Sequence, residues 1–258
     1  MSDAIRSILA EFDRVAQSGR MIDLWWRDDD AVAATPALDR LLTLSGTVGV
    51  PVALAAIPAS AEPSLAVRLR CEPDIAVLVH GLVHRNHAQG GGKPAEFGPE
   101  RSIDALRADV SEGARLASHV FGPRVLPVFV PPWNRIVGTL AACLPDLGFA
   151  ALSAAGTPGR RVVDGVLRID THLDPVEWHA SRSLSAPDEL VDAVLKAMSA
   201  DEPLLGLLTH HLMFDEALWD FTAAFLNAAR SHPAVRPVSI AKLIGEEHAG
   251  SLQKAKAA

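Results

Sequence analysis

Residues 75–87 read Ile-Ala-Val-Leu-Val-His-Gly-Leu-Val-His-Arg-Asn-His. The run Ile75–Val79 contains no polar residue, which is too continuous for a sheet with one wet face. It predicts a strand buried on both sides, as in a parallel sheet. His80 ends the run and His84 follows four residues later. That spacing puts both imidazoles on one face of a helix or on one rim of a tight loop. Working outward, strands are expected at Ile22–Arg27, Pro51–Ile57, Val125–Val130, Phe149–Ser153, Leu204–Thr209 and Val235–Ser239. Helical spacing covers residues 1–19, Arg101–Val120, Gly138–Leu147, Ala186–Ser199 and Glu216–Ser231, the second of these stopping at Gly122-Pro123. Strands alternating with helices predict an α/β fold of parallel βαβ units, and such units close into a (β/α) barrel. The chemistry of a barrel sits at the C-terminal ends of its strands. Asp28-Asp29-Asp30, His80 and the pair His210-His211 all fall at such ends.

Composition narrows the class. The chain has 258 residues, 49% of them hydrophobic, enough for one sizeable core, so a single domain over residues 1–248 is expected, with a flexible tail at 249–258. A net charge of −7 with no basic block argues against nucleic acid as a partner. No apolar run reaches a membrane span. The N-terminal segment carries acids among its apolar residues and reads as an amphipathic helix rather than a signal peptide. Cys71 and Cys143 are far apart and outside any CxxC pattern, as expected for free thiols in a reducing compartment, so the cytoplasm is the expected location. Oligomeric state is left open.

Two imidazoles and one carboxylate would hold a zinc-like ion and leave a position free for water. The bland alternative is a chance HxxxH on the surface, with the aspartates as a solvated turn. Against that, three adjacent acids after an apolar strand repel one another, and a bound cation relieves the repulsion. His210 and His211 end the segment LLGLLTHH, and neighbours on a strand point to opposite sides, so one of them faces the site. The glycines Gly90–Gly92 follow the metal histidines as a lid or as a plain connector, and His87 lies between the two features.

These residues carry a resemblance to the polysaccharide deacetylases, the NodB-homology group of carbohydrate esterase family 4. It spans about Leu24 to Leu243 in the family's motif order. The TFDDG motif resembles Arg27-Asp28-Asp29-Asp30-Ala31, and HxxxH is met by His80 and His84. RPPYG resembles Val130-Pro131-Pro132-Trp133-Asn134, the aspartate–tryptophan motif resembles Asp174-Pro175-Val176-Glu177-Trp178, and the leucine–histidine motif resembles Leu208-Thr209-His210. The resemblance implies a deformed (β/α) barrel of about seven parallel strands holding one divalent metal, zinc first, with Co2+, Ni2+ or Fe2+ as other occupants. It implies Asp30, His80 and His84 as the metal ligands and Asp29 as general base. His210 would be the general acid, with Asp174 orienting it. Pro132 and Trp133 would line the substrate and oxyanion side, the oxyanion taking a backbone N–H near Trp133.

Two departures stand out. Three aspartates leave the register open between Asp28/Asp29 and Asp29/Asp30 as base and ligand; the later pair puts small Ala31 at the family's glycine. The family arginine that partners the catalytic aspartate is Val130 here, with Arg27 and Arg135 as candidate replacements. The expected activity is metal-dependent hydrolysis of a non-peptide C–N bond, with an N-acetylated sugar or a related small N-acyl compound as substrate. Relatives with this barrel also open cyclic amides. The alternative is a degenerate barrel that binds a carbohydrate or a metal without turnover.

Overall fold

A computed structural model describes residues 2–246, so the tail expected at 249–258 lies outside the described residues. Helix α1 (Asp3–Gln17) starts where the Ser2 side chain accepts the Ile5 N–H, and it buries Ile5, Ile8, Phe12 and Val15 along one stripe. In chain order there follow β1 (Ile22–Ala31), α2 (Pro36–Val48), β2 (Val52–Ala56), α3 (Pro63–Leu69), β3 (Ala76–His80) and α4 (Ile103–Phe121). Next come β4 (Val125–Val130), α5 (Gly138–Ala141), β5 (Ala151–Leu152), β6 (Arg160–Val163) and β7 (Val166–Ile169). The series ends with α6 (Pro187–Ala197), β8 (Leu204–Thr209), α7 (Glu216–Ser231) and β9 (Val235–Pro237).

Every expected strand is present, and three differences have clear causes. Helices α2 and α3 occupy stretches where no helix was expected, although each opens with a proline in its first turn, and Thr35 caps α2 through the Leu38 N–H. The helix expected over Gly138–Leu147 splits into α5 and a separate 3-10 turn at Pro145–Leu147, because Pro145 has no N–H to continue the ladder. Neither β6 nor β7 was expected. They pair antiparallel across Asp164-Gly165, both at positive φ (51° and 80°), the geometry of a tight hairpin turn.

The sheet has nine strands in the order β6-β7-β5-β4-β3-β2-β1-β8, with β9 on β1, and every pairing but β6–β7 is parallel. Continuous ladders do not close it. Between β7 and β8 the gap is spanned by the segment at His172 and Leu173, whose N–H groups donate to the Gly206 carbonyl while Leu173 accepts the Leu208 N–H at 2.8 Å. The architecture is thus a deformed barrel with a seam at Leu173.

Strand alternation divides the core in two. Leu24, Trp26, Val77, Val79, Leu205 and Leu207 pack with the helices on the outer side. Trp25, Ala53, Ala55, Leu78, Val128, Val130, Ile169 and Leu204 fill the barrel interior. Gly206 makes room for the central Trp25: a Cβ there would lie 2.6 Å from the indole nitrogen, which donates to the Asp170 carbonyl. Val238, Ile240 and Leu243 join the inner cluster beside the start of β1, where the Val238 N–H meets the Leu24 carbonyl. They close the end of the barrel opposite the histidines. No helix among the described residues is long and apolar enough to cross a membrane.

Candidate metal centre

Strand β1 continues four residues past Arg27 and carries all three aspartates. Alternation sends them to different places. Asp28 lies on the outer face with Trp26, fully buried. It accepts hydrogen bonds from the Thr209 hydroxyl (2.6 Å), the His211 N–H (3.0 Å) and His211 Nδ1 (2.5 Å), and Trp26 Nε1 donates to the same Thr209 hydroxyl. Burial alone would lower the His211 pKa, but the Asp28 charge and hydrogen bond outweigh it and raise the group. Asp28 and His211 are therefore committed to each other behind the barrel wall.

Asp29 lies on the inner face with Arg27. The pair is bidentate, with Nε to Oδ1 at 2.8 Å and Nη2 to Oδ2 at 3.0 Å. Arg27 has no exposed surface, and its remaining donors reach Asn134 Oδ1 (2.7 Å), Ser153 Oγ (2.7 Å) and the Ser153 and Ala154 carbonyls. Every nitrogen of the fork is engaged, the condition for keeping a guanidinium buried. Arg135 instead donates to the Pro94 carbonyl, away from Asp29. The Val130 side chain belongs to the barrel interior. Between Arg27 and Arg135, geometry selects Arg27 as the partner of Asp29.

Asp30 breaks the alternation. The β1–β2 register shifts between Asp28 and Ala31, and Asp30 takes a left-handed φ of 68°. This turns its carboxylate toward His80 Nε2 (3.1 Å) and His84 Nε2 (3.3 Å). One donor atom from each of the three lies within 4.8 Å of the other two, the spacing that a single ion needs. Burial would raise Asp30, but the His80 hydrogen bond and the charges of His80, His210 and His84 hold it well below the usual carboxylate range.

His80 ends β3, and its Nδ1 donates to the Val130 carbonyl at 3.0 Å, which leaves Nε2 aimed at Asp30. A backbone carbonyl holding one ring nitrogen while the other faces the ion is the usual support of a metal-binding histidine. His84 sits in a loop rather than a helix, at φ 55°, with its ring 4.2 Å from that of Trp133. Asp30, His84, Trp133 and Asn134 are all non-glycine residues at positive φ, a concentration of backbone strain typical of functional sites.

Across the mouth, His210 continues the inner face of β8 while His211 turns outward. Its ring meets the edge of Trp178 at 4.7 Å. The Asp174 carboxylate accepts the Trp178 Nε1–H (2.7 Å) and the Val176 N–H (3.0 Å), whereas the buried His210 Nδ1 has no partner among the described residues. Asp174 thus orients Trp178 directly and faces His210 by charge. Burial raises its pKa, and the positive charge of His210 works against that rise.

The loop carrying Trp178 is tied by Glu177, whose carboxylate accepts N–H groups of Ser181, His179 and Ala180. Those bonds hold its pKa at about 2, against 4.5 for a free side chain. A depressed acid contributes order that is complete above the free value and lost as pH falls through the bound one. The Glu177 carboxyl is therefore expected to titrate near 2 in an NMR pH series; a midpoint near 4.5 would contradict the capped geometry.

Sequence reasoning did not find Ser153 or Glu96. Ser153 follows directly on β5 and takes an Arg27 donor. Glu96 has no exposed surface and accepts the N–H groups of Leu82 and Val83 beneath the histidine loop. The base of the Gly90–Gly92 excursion is closed by His87 N–H to the Ala95 carbonyl and by Asn86 Oδ1 accepting from Ala88 and Ala95.

Among solved structures the chain is similar to a putative polysaccharide deacetylase from Mycobacterium smegmatis, at 17% identity and TM-score 0.67, covering 90% of this chain and 92% of that one. The fold is that of the polysaccharide deacetylases. Puue allantoinase shares the deacetylase fold at 16% identity and TM-score 0.65, with 88% of this chain and 90% of that one covered. A family 4 acetyl xylan esterase from Clostridium thermocellum, solved with a cobalt ion, does so at 14% identity and TM-score 0.58, covering 88% and 92%. No protein-family model and no curated protein matches the sequence.

Proposed function

We propose that this chain is a metal-dependent hydrolase of a non-peptide C–N bond, removing the acetyl group from an N-acetylated sugar or a related small N-acyl compound. The observation that carries the reading is the convergence of Asp30, His80 and His84 on one point beside the Arg27–Asp29 pair. The donor set suits a divalent ion, zinc first: two neutral nitrogens and one carboxylate, with the His80 tautomer set by the Val130 carbonyl. A divalent ion there supplies Lewis-acid polarisation of the acyl carbonyl and makes a nearby water more acidic.

The chain's own groups do the rest. Asp29 takes the proton of the attacking water. Both of its oxygens are pinned by Arg27, yet each carboxylate oxygen has a second lone pair to offer. This pairing gives Asp29 a guanidinium although Val130 stands at the family's arginine, which supports reading the chain as an enzyme rather than a binder. Trp133, held left-handed with its ring 4.2 Å from that of His84, would offer its backbone N–H to the developing oxyanion, with Pro132 beside it. His210 delivers a proton to the departing amine, and Asp174 holds the neighbouring Trp178, whose ring packs against His210. Cys71 and Cys143 are free thiols, which suits a reducing compartment such as the cytoplasm.

The test is release of free acid and amine from a panel of N-acyl sugars and small or cyclic amides by the zinc-loaded chain. Turnover of at least one is expected, falling by about 100-fold or more in His210→Ala. Stoichiometric metal with no turnover of any amide would reject the enzyme reading in favour of a binder.

A further inference from the structure

Glu96 is a buried ionisable group to which the chemistry above gives no task. Glu96 has no exposed surface and lies between the loop that carries His84 and the turn that carries Trp133. Its Oε1 accepts the Val83 N–H at 2.9 Å and its Oε2 accepts the Leu82 N–H at 3.3 Å. Those two amides belong to the short step of chain between His80 and His84.

The fit around this carboxylate is close. Gly81 has φ +61°, and a Cβ there would lie 2.2 Å from Glu96 Oε2 and 2.7 Å from the Pro132 ring. On the far side α4 presses on the same residue, since a Cβ on Gly113 would lie 2.6 Å from the Gly81 carbonyl oxygen. Glu96 is itself fixed at both ends. The Ala95 N–H and carbonyl close the glycine excursion before it, and Phe97 after it bridges Ile136 and accepts the Val137 N–H at 2.9 Å. A carboxylate is costly to bury, and a turn that only needed closing could be capped by a neutral side chain. Placed here, its charge is set beside the loop whose last residue points a ring nitrogen at the proposed ion.

We propose that Glu96 is a positioning residue of the metal centre. Its carboxylate grips the Leu82 and Val83 amides and so holds His84, in its left-handed conformation, with Nε2 on the point that His80 and Asp30 share. This rests on the reading of Asp30, His80 and His84 as the metal ligands. The effect of Glu96 should therefore pass through His84 and not through His80, which is held independently by the Val130 carbonyl.

Zinc dissociation constants, measured by chelator competition on the full chain, test this in wild type, Glu96→Gln, Glu96→Asp, His84→Ala and the Glu96→Gln/His84→Ala pair. Urea unfolding of each metal-free protein checks that it folds. Glu96→Gln is expected to weaken zinc binding by about 10–100-fold, the effect of losing an outer support of a ligand. Glu96→Asp, which keeps the charge and loses reach, should weaken it less. With His84 already gone, Glu96→Gln should cost no more than about twofold, because contacting residues that act through one another are not additive. Equal zinc affinity in wild type and Glu96→Gln would overturn the proposal, as would an equal loss in both backgrounds. Failure of both Glu96 variants to fold would also overturn it, leaving Glu96 a core group. A wild-type chain that takes no zinc fails differently, because it removes the metal centre itself.

Discussion

Arg27→Ala is expected to damage the protein twice over. The substitution strands Asp29 as a buried carboxylate and leaves Asn134 Oδ1 and the Ser153 groups without their donor. Breaking a buried ion pair from one side costs about 3–5 kcal/mol, a large share of the about 5–15 kcal/mol that stabilises a typical domain. Turnover should fall by about 100-fold or more, because the base is no longer held in line with the attacking water. Arg27→Lys separates the two effects. It keeps the charge but cannot make the two-pronged contact, so it should recover much of the stability and little of the turnover. Arg135→Ala, which loses one bond to the Pro94 carbonyl, should resemble wild type in both. Urea unfolding and steady-state rates on the same preparations decide. An Arg27→Ala protein as active as wild type would remove Arg27 from the proposed site.

Loss of a metal ligand should be equally severe but should leave the fold in place. Asp30→Ala and His80→Ala are each expected to weaken zinc binding beyond the about 10–100-fold that an outer support is worth, and to abolish turnover at ordinary zinc concentrations. Asp30 is partly exposed, but alanine keeps its left-handed backbone without aspartate's tolerance of it and loses the pairing with His80 and His84, so Asp30→Ala should cost the metal-free protein some stability without unfolding it. His80 is buried at a strand end and should cost more. The contrast appears on melting with and without zinc. Wild type should gain stability with added zinc in proportion to the logarithm of its concentration, while the two variants should gain almost none. Wild-type levels of bound zinc in Asp30→Ala would place the ion elsewhere.

Much of this was legible from residues alone, because the barrel's signals are local. Ile75–Val79 and Leu204–Thr209 are apolar runs that only a doubly covered strand explains, and their ends put His80 and His210 at the mouth. Alternation alone could not choose between His210 and His211, because Leu204–Leu208 is apolar on both faces; the packing of Leu204 inside and of Leu205 and Leu207 outside is what carries His210 inward. What was not legible depends on chain brought in from afar. Strand β1 was expected to stop at Arg27 because acids read as a turn; it continues because Thr209, His211 and the two histidines near residue 80 satisfy those acids. Ser153 and Glu96 reach the site from loops whose sequence carries no period. Strand β6 escaped notice because Arg160-Arg161-Val162-Val163 lies on an exposed edge and lacks the apolar alternation of a covered strand, although Asp164-Gly165 is a hairpin signal.

The three aspartates of β1 carry one further consequence. Identical in chemistry, Asp28 and Asp29 differ in place through alternation alone: a single step along the chain separates the proposed proton acceptor on the inner wall from a pillar on the outer one. Point changes in β1 can be weighed one at a time. A change in its length cannot, because removing or adding a single residue between Trp25 and Asp30 would hand each carboxylate its neighbour's surroundings. Any graft of the site onto another barrel must carry the whole decapeptide with its phase intact.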